Sequence, residues 1–326
     1  MPEEIIPGLS RLSIPLPNNA LGSVNVYAVA SADGLRLIDC GWNEPETYAA
    51  IVGELEQLGM QVSEIRELLV THNHPDHIGQ AERLVQEAGA HLLLHRLDAS
   101  SGAAHTDNRQ VVLSDMDTWL QTNGMPAEER ETLMHRIQRM PPRSPAYHPD
   151  IALEGGEVLD WTPFRFEVIW TPGHAAGLVC LYEPNMQILI SSDHVLERIS
   201  PNIGLYARQS GDPLGDYLNS LRRIRDLPVK LVLPGHGAPF SDLPGRVDTL
   251  LEHHEQRLQE ILDKLSDEGR TAYDVASHLP WRRSEQGWQI LKTFDRLGAL
   301  GETLAHLEYL VNQGQATKQS FRYCTA

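Results

Sequence analysis

The stretch Arg66-Glu67-Leu68-Leu69-Val70-Thr71-His72-Asn73-His74-Pro75-Asp76-His77 decides how the rest of the chain is read. Its first half is a short apolar run that reads as a buried strand. Its second half places four potential ligands, His72, His74, Asp76 and His77, within six residues. Two histidines at i and i+2 leave a loop on one side and grip one cation, while Asp76 and His77 point elsewhere and hold a second. Neutral imidazoles combined with carboxylates suit zinc, iron or manganese, not calcium or a thiol-preferring ion. The carboxyl end of a buried strand is also where α/β folds place their sites.

Working outward, residues 23–30 and 35–41 read as a hairpin around Ala32-Asp33-Gly34. Residues 46–59 carry apolar side chains at helical spacing and stop at a glycine. A helix over 79–90 and a strand over 91–95 complete a β–α–β–α–β rhythm, which predicts an α/β layered domain. Residues 99–150 break that rhythm with two helices (111–122 and 127–140) and a Pro-rich exit, and are expected to form a helical lid insertion. Strands return at 164–174, 177–184 and 186–194. A helix near 213–226, a strand over 230–237 and a long amphipathic helix over 243–265 follow. The catalytic domain is thus expected to span 1–266. Residues 267–326 are expected to form a small winged-helix-like domain of three helices and a short β tail.

Three more ligand candidates sit just after β-rich runs: His174 in Thr-Pro-Gly-His, Asp193 in Ser-Ser-Asp-His and His236 in Pro-Gly-His-Gly. Strands aligned in one sheet system would bring all three to the rim that carries His72 to His77. Gly173, Gly235 and Gly237 permit the tight turns that aim the imidazoles inward.

Taken together, Thr-His-x-His-x-Asp-His, Thr-Pro-Gly-His, an aspartate after an apolar strand and Pro-Gly-His-Gly resemble the metallo-β-lactamase superfamily, over about residues 20–240. The resemblance implies an αββα sandwich with a two-metal site along one edge of its packed sheets. It implies that His72, His74 and His174 hold one metal, that Asp76, His77 and His236 hold another, and that Asp193 bridges them. Asp39 matches the family's early structural aspartate and is expected to orient the metal loop by hydrogen bonds. The helix bearing His253-His254-x-x-Arg257, with the small helical carboxyl terminus, is similar to the branch that carries a winged-helix appendage. Ser192 stands where the family commonly has glycine before the bridge, so a less strained backbone is expected there.

Such a site implies hydrolysis by hydroxide held between two divalent cations, zinc first and iron or manganese as alternatives, with Asp76 accepting or orienting the proton of the attacking water. No Gly-x-Ser-x-Gly, P-loop or dinucleotide fingerprint competes with that reading. His194, Asn202 and Tyr206 are the candidates to contact substrate. The expected substrate is a small ester, thioester or lactone. Phosphodiester or RNA cleavage, and a mononuclear iron persulfide-dioxygenase-like activity, stand as alternatives.

Composition narrows the partners. Over 326 residues, 27 Lys+Arg against 44 Asp+Glu give a formal charge of −17, which disfavours tight non-specific binding to phosphate backbones. From residue 268 onward basic and acidic side chains nearly balance, so the tail is expected to pack or to support a homodimer rather than to read nucleic acid. Three scattered cysteines make no disulfide framework. The acidic start Met1-Pro2-Glu3-Glu4 lacks the positive charge of a signal peptide, and no apolar run reaches spanning length. A soluble cytoplasmic enzyme without membrane contact is the expectation.

Overall fold

A computed structural model describes residues 1–17, 21–103, 109–139, 147–281 and 287–326. The Pro-rich exit of the expected lid therefore lies largely outside the described residues. The chain divides into two compact units.

The first unit comprises residues 1–104, 144–201 and 220–247 and holds both large sheets. One sheet has seven strands in chain order: β1 (Glu3–Ile6), β2 (Leu9–Pro15), β3 (Ser23–Ser31), β4 (Gly34–Ile38), β5 (Ile65–Val70), β6 (His91–His95) and β7 (Ile151–Leu153). Pairing is antiparallel from β1 to β4 and parallel from β4 to β7. The parallel half follows from its connections, because α1 (Pro45–Gln57) and α3 (Ala81–Ala88) each carry the chain back to the start of the next strand. A short α2 (Pro75–Ile78) precedes α3. Pro45 opens α1 where its missing N–H costs nothing, and Gly89, at φ +66°, ends α3 with its N–H on the Val85 carbonyl.

The second sheet, in spatial order β12-β11-β10-β9-β8, uses β8 (Val158–Trp161), β9 (Phe164–Trp170), β10 (Val179–Glu183), β11 (Ile188–Ser192) and β12 (Leu231–Pro234). Strands β8 to β11 pair antiparallel and β11 pairs parallel with β12, so β9, β11 and β12 all run in one direction. The sheets bury their facing surfaces in one apolar layer. Tyr27, Ile38, Leu69 and Leu93 from the first meet Phe164, Phe166, Leu181, Ile190 and Leu233 from the second. The other face of the first sheet packs on Ile51 and Leu55 of α1 and on Ala81 and Leu84 of α3. Alternation along β9 shows why one strand serves one layer: Phe164, Phe166 and Val168 are buried while Arg165 and Glu167 are exposed. Strands β1, β2, β7 and β8 were not anticipated from the sequence.

The second unit comprises residues 105–143, 202–219 and 248–326. It gathers α5 (Arg109–Thr122), α6 (Ala127–Arg139), α9 (Ala272–Ser277), α10 (Thr293–Asn312) and the hairpin β13 (Ala316–Gln319)–β14 (Arg322–Thr325). Helix α4 (Arg96–Ala103) belongs to the first unit, and α7 (Pro213–Ile224) and α8 (Leu243–Leu262) each run across a boundary between units. The two helices expected in a lid thus share a unit with the carboxyl-terminal helices, a division that the boundary expected at 266/267 did not anticipate. Arg296 on α10 donates to Glu129 on α6 at 2.7 Å, and the Tyr273 N–H donates to the Asn123 carbonyl. The tail also differs from three separate helices. Residues 293–312 form one helix and 287–290 form a turn. Gly298 and Gly301, at the break between the last two expected helices, lie inside α10. A side chain at Gly301 would meet the Tyr206 ring at 2.3 Å, so this glycine serves packing.

Among the described residues no helix is long and apolar enough to cross a membrane. The three cysteines are free and buried.

Candidate metal centre

Because β9, β11 and β12 run the same way, the loops after them leave the second sheet at one edge, and His174, Asp193 and His236 lie on those loops. His72 to His77 follow β5 in the facing sheet. Three groups of side chains bring their ligand atoms within 4.8 Å of one another: His72, His74 and His174; His72, His77 and Asp193; and Asp76, His77 and His236. All seven expected metal-ligating residues therefore meet. Ring centroids of His74 and His174 are 4.5 Å apart, and those of His72 and His174 are 5.1 Å apart.

Asp193 lies between the groups. Its Oδ1 is 3.6 Å from His77 Nε2, and its Oδ2 is 3.6 Å from His174 Nε2 and 3.4 Å from His236 Nε2. Asp76 Oδ2 is 3.4 Å from the same nitrogen of His236. The close approach requires glycine at 235, where an added Cβ would come within 2.3 Å of Asp193 Oδ1.

Three of the imidazoles, those of His72, His77 and His236, are aimed by their other nitrogen. His77 Nδ1 donates to Asp39 Oδ2 at 2.8 Å, and His236 Nδ1 donates to the Ser23 carbonyl at 2.8 Å. Asp39 also accepts the Thr71 N–H and hydroxyl. With its proton on Asp39, the Thr71 oxygen is an acceptor for His72 Nδ1 at 3.1 Å and for the Ser192 hydroxyl at 2.7 Å. Asp39 thus has the orienting role expected for it. On the far side, Asn25 Nδ2 donates to the Pro234 and Gly237 carbonyls and Tyr27 Oη donates to Pro234, so β3 fixes the loop bearing His236.

The expectation of a relaxed backbone at Ser192 is not met. Its φ is +47°, the left-handed region that glycine adopts freely. The hydrogen bond from its hydroxyl to Thr71 helps to hold a conformation that costs a β-carbon-bearing residue about 1–3 kcal/mol.

Burial and charge sort the titrating groups. Desolvation, reinforced by the neighbouring His77, holds His72 well below the ordinary imidazole range, and burial next to His174 lowers His74 to about 3. Burial opposes charge on His77 too, but Asp39, Asp193 and Asp76 prevail and hold it well above its usual value. His236 is raised to about 9 by Asp193 and Asp76 against its burial. Asp193 is driven down by His77 and His236, and Asp76 to about 2, in each case against desolvation.

Whether these residues suit metal ions can be judged from orphaned atoms. Among the described residues, the buried atoms His72 Nε2, His77 Nε2, His236 Nε2 and Asp193 Oδ1 find no hydrogen-bond partner. Buried polar atoms left so are costly, and cations among them would satisfy them at once. The donor set fits.

The residues expected to contact substrate are placed differently. His194 is wholly buried, with the Ser220 backbone and Arg223 among its neighbours, and desolvation lowers it to about 3. Asn202 and Tyr206 belong to the second unit, where Tyr206 Oη donates to Asn202 Oδ1 at 2.6 Å. Sequence reasoning missed Asp98. Its carboxylate accepts the Asn73 and Gly177 amides, and burial raises it to about 6 in spite of them. Its partners lie 25 and 79 residues away, so no local pattern announced it.

The family model of the metallo-β-lactamase superfamily matches residues 19–236, the span that holds both sheets' site loops. The chain belongs to the metallo-β-lactamase superfamily. It is a metal-dependent hydrolase of that superfamily. The protein named "Probable metallo-hydrolase YqjP" of Bacillus subtilis (strain 168) is 28% identical over 280 residues, 82% of this chain and 83% of that one. A metallo-β-lactamase family protein of Thermus thermophilus is 30% identical with a TM-score of 0.81, over 99% of this chain and 100% of that one. A β-lactamase domain protein of Burkholderia ambifaria is 25% identical with a TM-score of 0.83, over 100% and 94%. These likenesses extend past the family model into the second unit.

Proposed function

We propose that this chain is a two-metal hydrolase acting on a small ester, thioester or lactone. The observation that carries the proposal is the placement of the Asp193 carboxylate, with one oxygen toward His77 and the other toward His174 and His236. His72, His74 and His174 would hold one ion, and Asp76, His77 and His236 the other, with Asp193 shared. When bound, two divalent ions, zinc in the first place and iron or manganese otherwise, supply Lewis acidity and bring the pKa of water to about 7.

The chain's own residues supply the rest. Asp39, Thr71 and the Ser23 carbonyl fix the rings of His77, His72 and His236, which limits reorganisation as charge develops. Asp76, ionised at neutral pH, is an acceptor for the proton of the attacking water. Burial of His72 and His77 keeps bulk water from that side of the cluster. Of the residues expected to touch substrate, His194 is neutral and adjacent to the bridge in sequence, so it could only donate or accept a hydrogen bond, not offer a charge. The acidic balance of the chain favours a small substrate over a polyanion.

The test is a panel of an aryl ester, a thioester, a lactone and bis-p-nitrophenyl phosphate, each with and without chelator. Chelator-sensitive turnover of the carbonyl substrates, restored by added zinc, supports the proposal. Turnover confined to the phosphodiester replaces it with phosphodiesterase chemistry, and a single iron per chain with oxygen uptake replaces it with the iron enzyme.

A further inference from the structure

Loop residues next to the cluster must be held as firmly as the ligands themselves, and one carboxylate holds two loops at once. Asp98, near the start of α4, is 1% exposed. Its Oδ2 accepts the Asn73 N–H at 2.9 Å and its Oδ1 accepts the Gly177 N–H at 2.7 Å. Asn73 Nδ2 returns a bond to the Asp98 carbonyl at 3.3 Å. Asn73 stands between His72 and His74, and Gly177 lies three residues beyond His174. The clasp therefore joins the two segments that supply one complete histidine trio. The seat is tight, since a Cβ at Gly177 would come within 2.7 Å of Asp98 Cγ. The His174 loop is pinned again next door, where Trp170 Nε1 donates to the Ala176 carbonyl at 2.9 Å.

We propose that Asp98 is a positioning residue that sets the spacing of the His72, His74 and His174 trio by clasping the amides of Asn73 and Gly177. The inference rests on the two-metal reading given above. Only a carboxylate offers both amides an acceptor in this seat. The isosteric amide of Asn presents one oxygen and one NH2, so one backbone N–H would then face another donor. Groups that orient metal ligands typically change metal affinity by about 10–100-fold when altered.

The experiment is a competitive cobalt(II) titration of the full-length protein against a chromophoric chelator. Asp98→Asn and Gly177→Ala are compared with the wild type and with the reference variants His174→Ala and His236→Ala. Two uptake steps are expected in the wild type. Asp98→Asn should weaken the step that His174→Ala abolishes by about 10–100-fold and leave the step that His236→Ala abolishes unchanged. Gly177→Ala, which intrudes on the same seat from the other side, should weaken the same step, and it carries the test if Asp98→Asn yields no folded protein. Equal weakening of both steps, or unchanged affinities with a lowered melting temperature, would make Asp98 a general structural residue and overturn the proposal. A wild type that takes up no cobalt would overturn the two-metal reading and this inference with it. Two wild-type steps with unaltered variants would overturn this inference alone.

Discussion

Asp39 and Ser192 show how single residues hold the cluster, and each can be tested by one substitution. Asp39→Asn removes a charge that faces His77 and replaces one acceptor oxygen by a donor, so the metal shared by Asp76, His77 and His236 should bind about 10–100-fold more weakly. A chelator competition assay reads that loss. Ser192 balances a left-handed backbone against a hydrogen bond to Thr71. Ser192→Gly should relieve strain as it loses the bond, whereas Ser192→Ala loses the bond and keeps the strain. In urea titrations the Ala variant should therefore be less stable than the Gly variant by about 1 kcal/mol. An equal effect of the two would remove strain from the explanation. Serine in place of the family's usual glycine is thus costly in conformation, and its compensation comes from a residue 121 positions away.

At the scale of elements, the site is a property of strand ends. Gly235 follows β12, and Gly235→Ala would drive a methyl group into Asp193 Oδ1 and His77 Cε1. It should abolish binding of the second metal while leaving far-ultraviolet circular dichroism unchanged. This level also shows what sequence could reveal. The strands that carry the candidate ligands were legible because β-formers clustered just ahead of His72, His174, Asp193 and His236. The candidate ligands themselves were legible because Thr-His-x-His-x-Asp-His packs four of them into one turn. Strands β1, β2, β7 and β8 were missed because they are short or rich in polar residues, such as Glu3-Glu4-Ile5-Ile6, and owe their form to pairing partners. Asp98, Asn25 and Tyr27 were missed for a related reason. Their role lies in contacts with backbone groups far along the chain, which leave no periodicity. One helix reads as two in the tail, because glycines at 298 and 301 look in sequence like a break between helices, whereas Gly301 lies within α10 and admits the Tyr206 ring.

For the whole molecule, the division into two units follows from the same economy. Helices α5, α6, α9 and α10 pack within one unit, α5 against α6 and α10 against α9 and α6, although up to about half the chain separates them. Protonation gives a test at this scale. In metal-free protein the folded state holds His77 and His236 above the usual imidazole value of about 6.5. Their protonation stabilises the fold fully below that value, and the benefit is lost as pH rises through about 9. His72, His74, His194, His254 and His306 are held low by burial, so their contribution is present above about 6.5 and lost as pH falls below it. Metal-free protein should therefore be most stable near neutrality and weaken from pH 7 to 9 in urea titrations. Metal-loaded protein should show the opposite trend over that interval, because protons on His77 and His236 compete with the ions.

The central claim is that seven side chains from both sheets hold two ions around one shared carboxylate. Elemental analysis of the purified wild type and of Asp193→Ala, after dialysis against zinc, tests it most directly. Two zinc ions per chain in the wild type, and one or none in the variant, are predicted. A wild type that retains no metal, or a variant that still holds two ions as tightly, would contradict it.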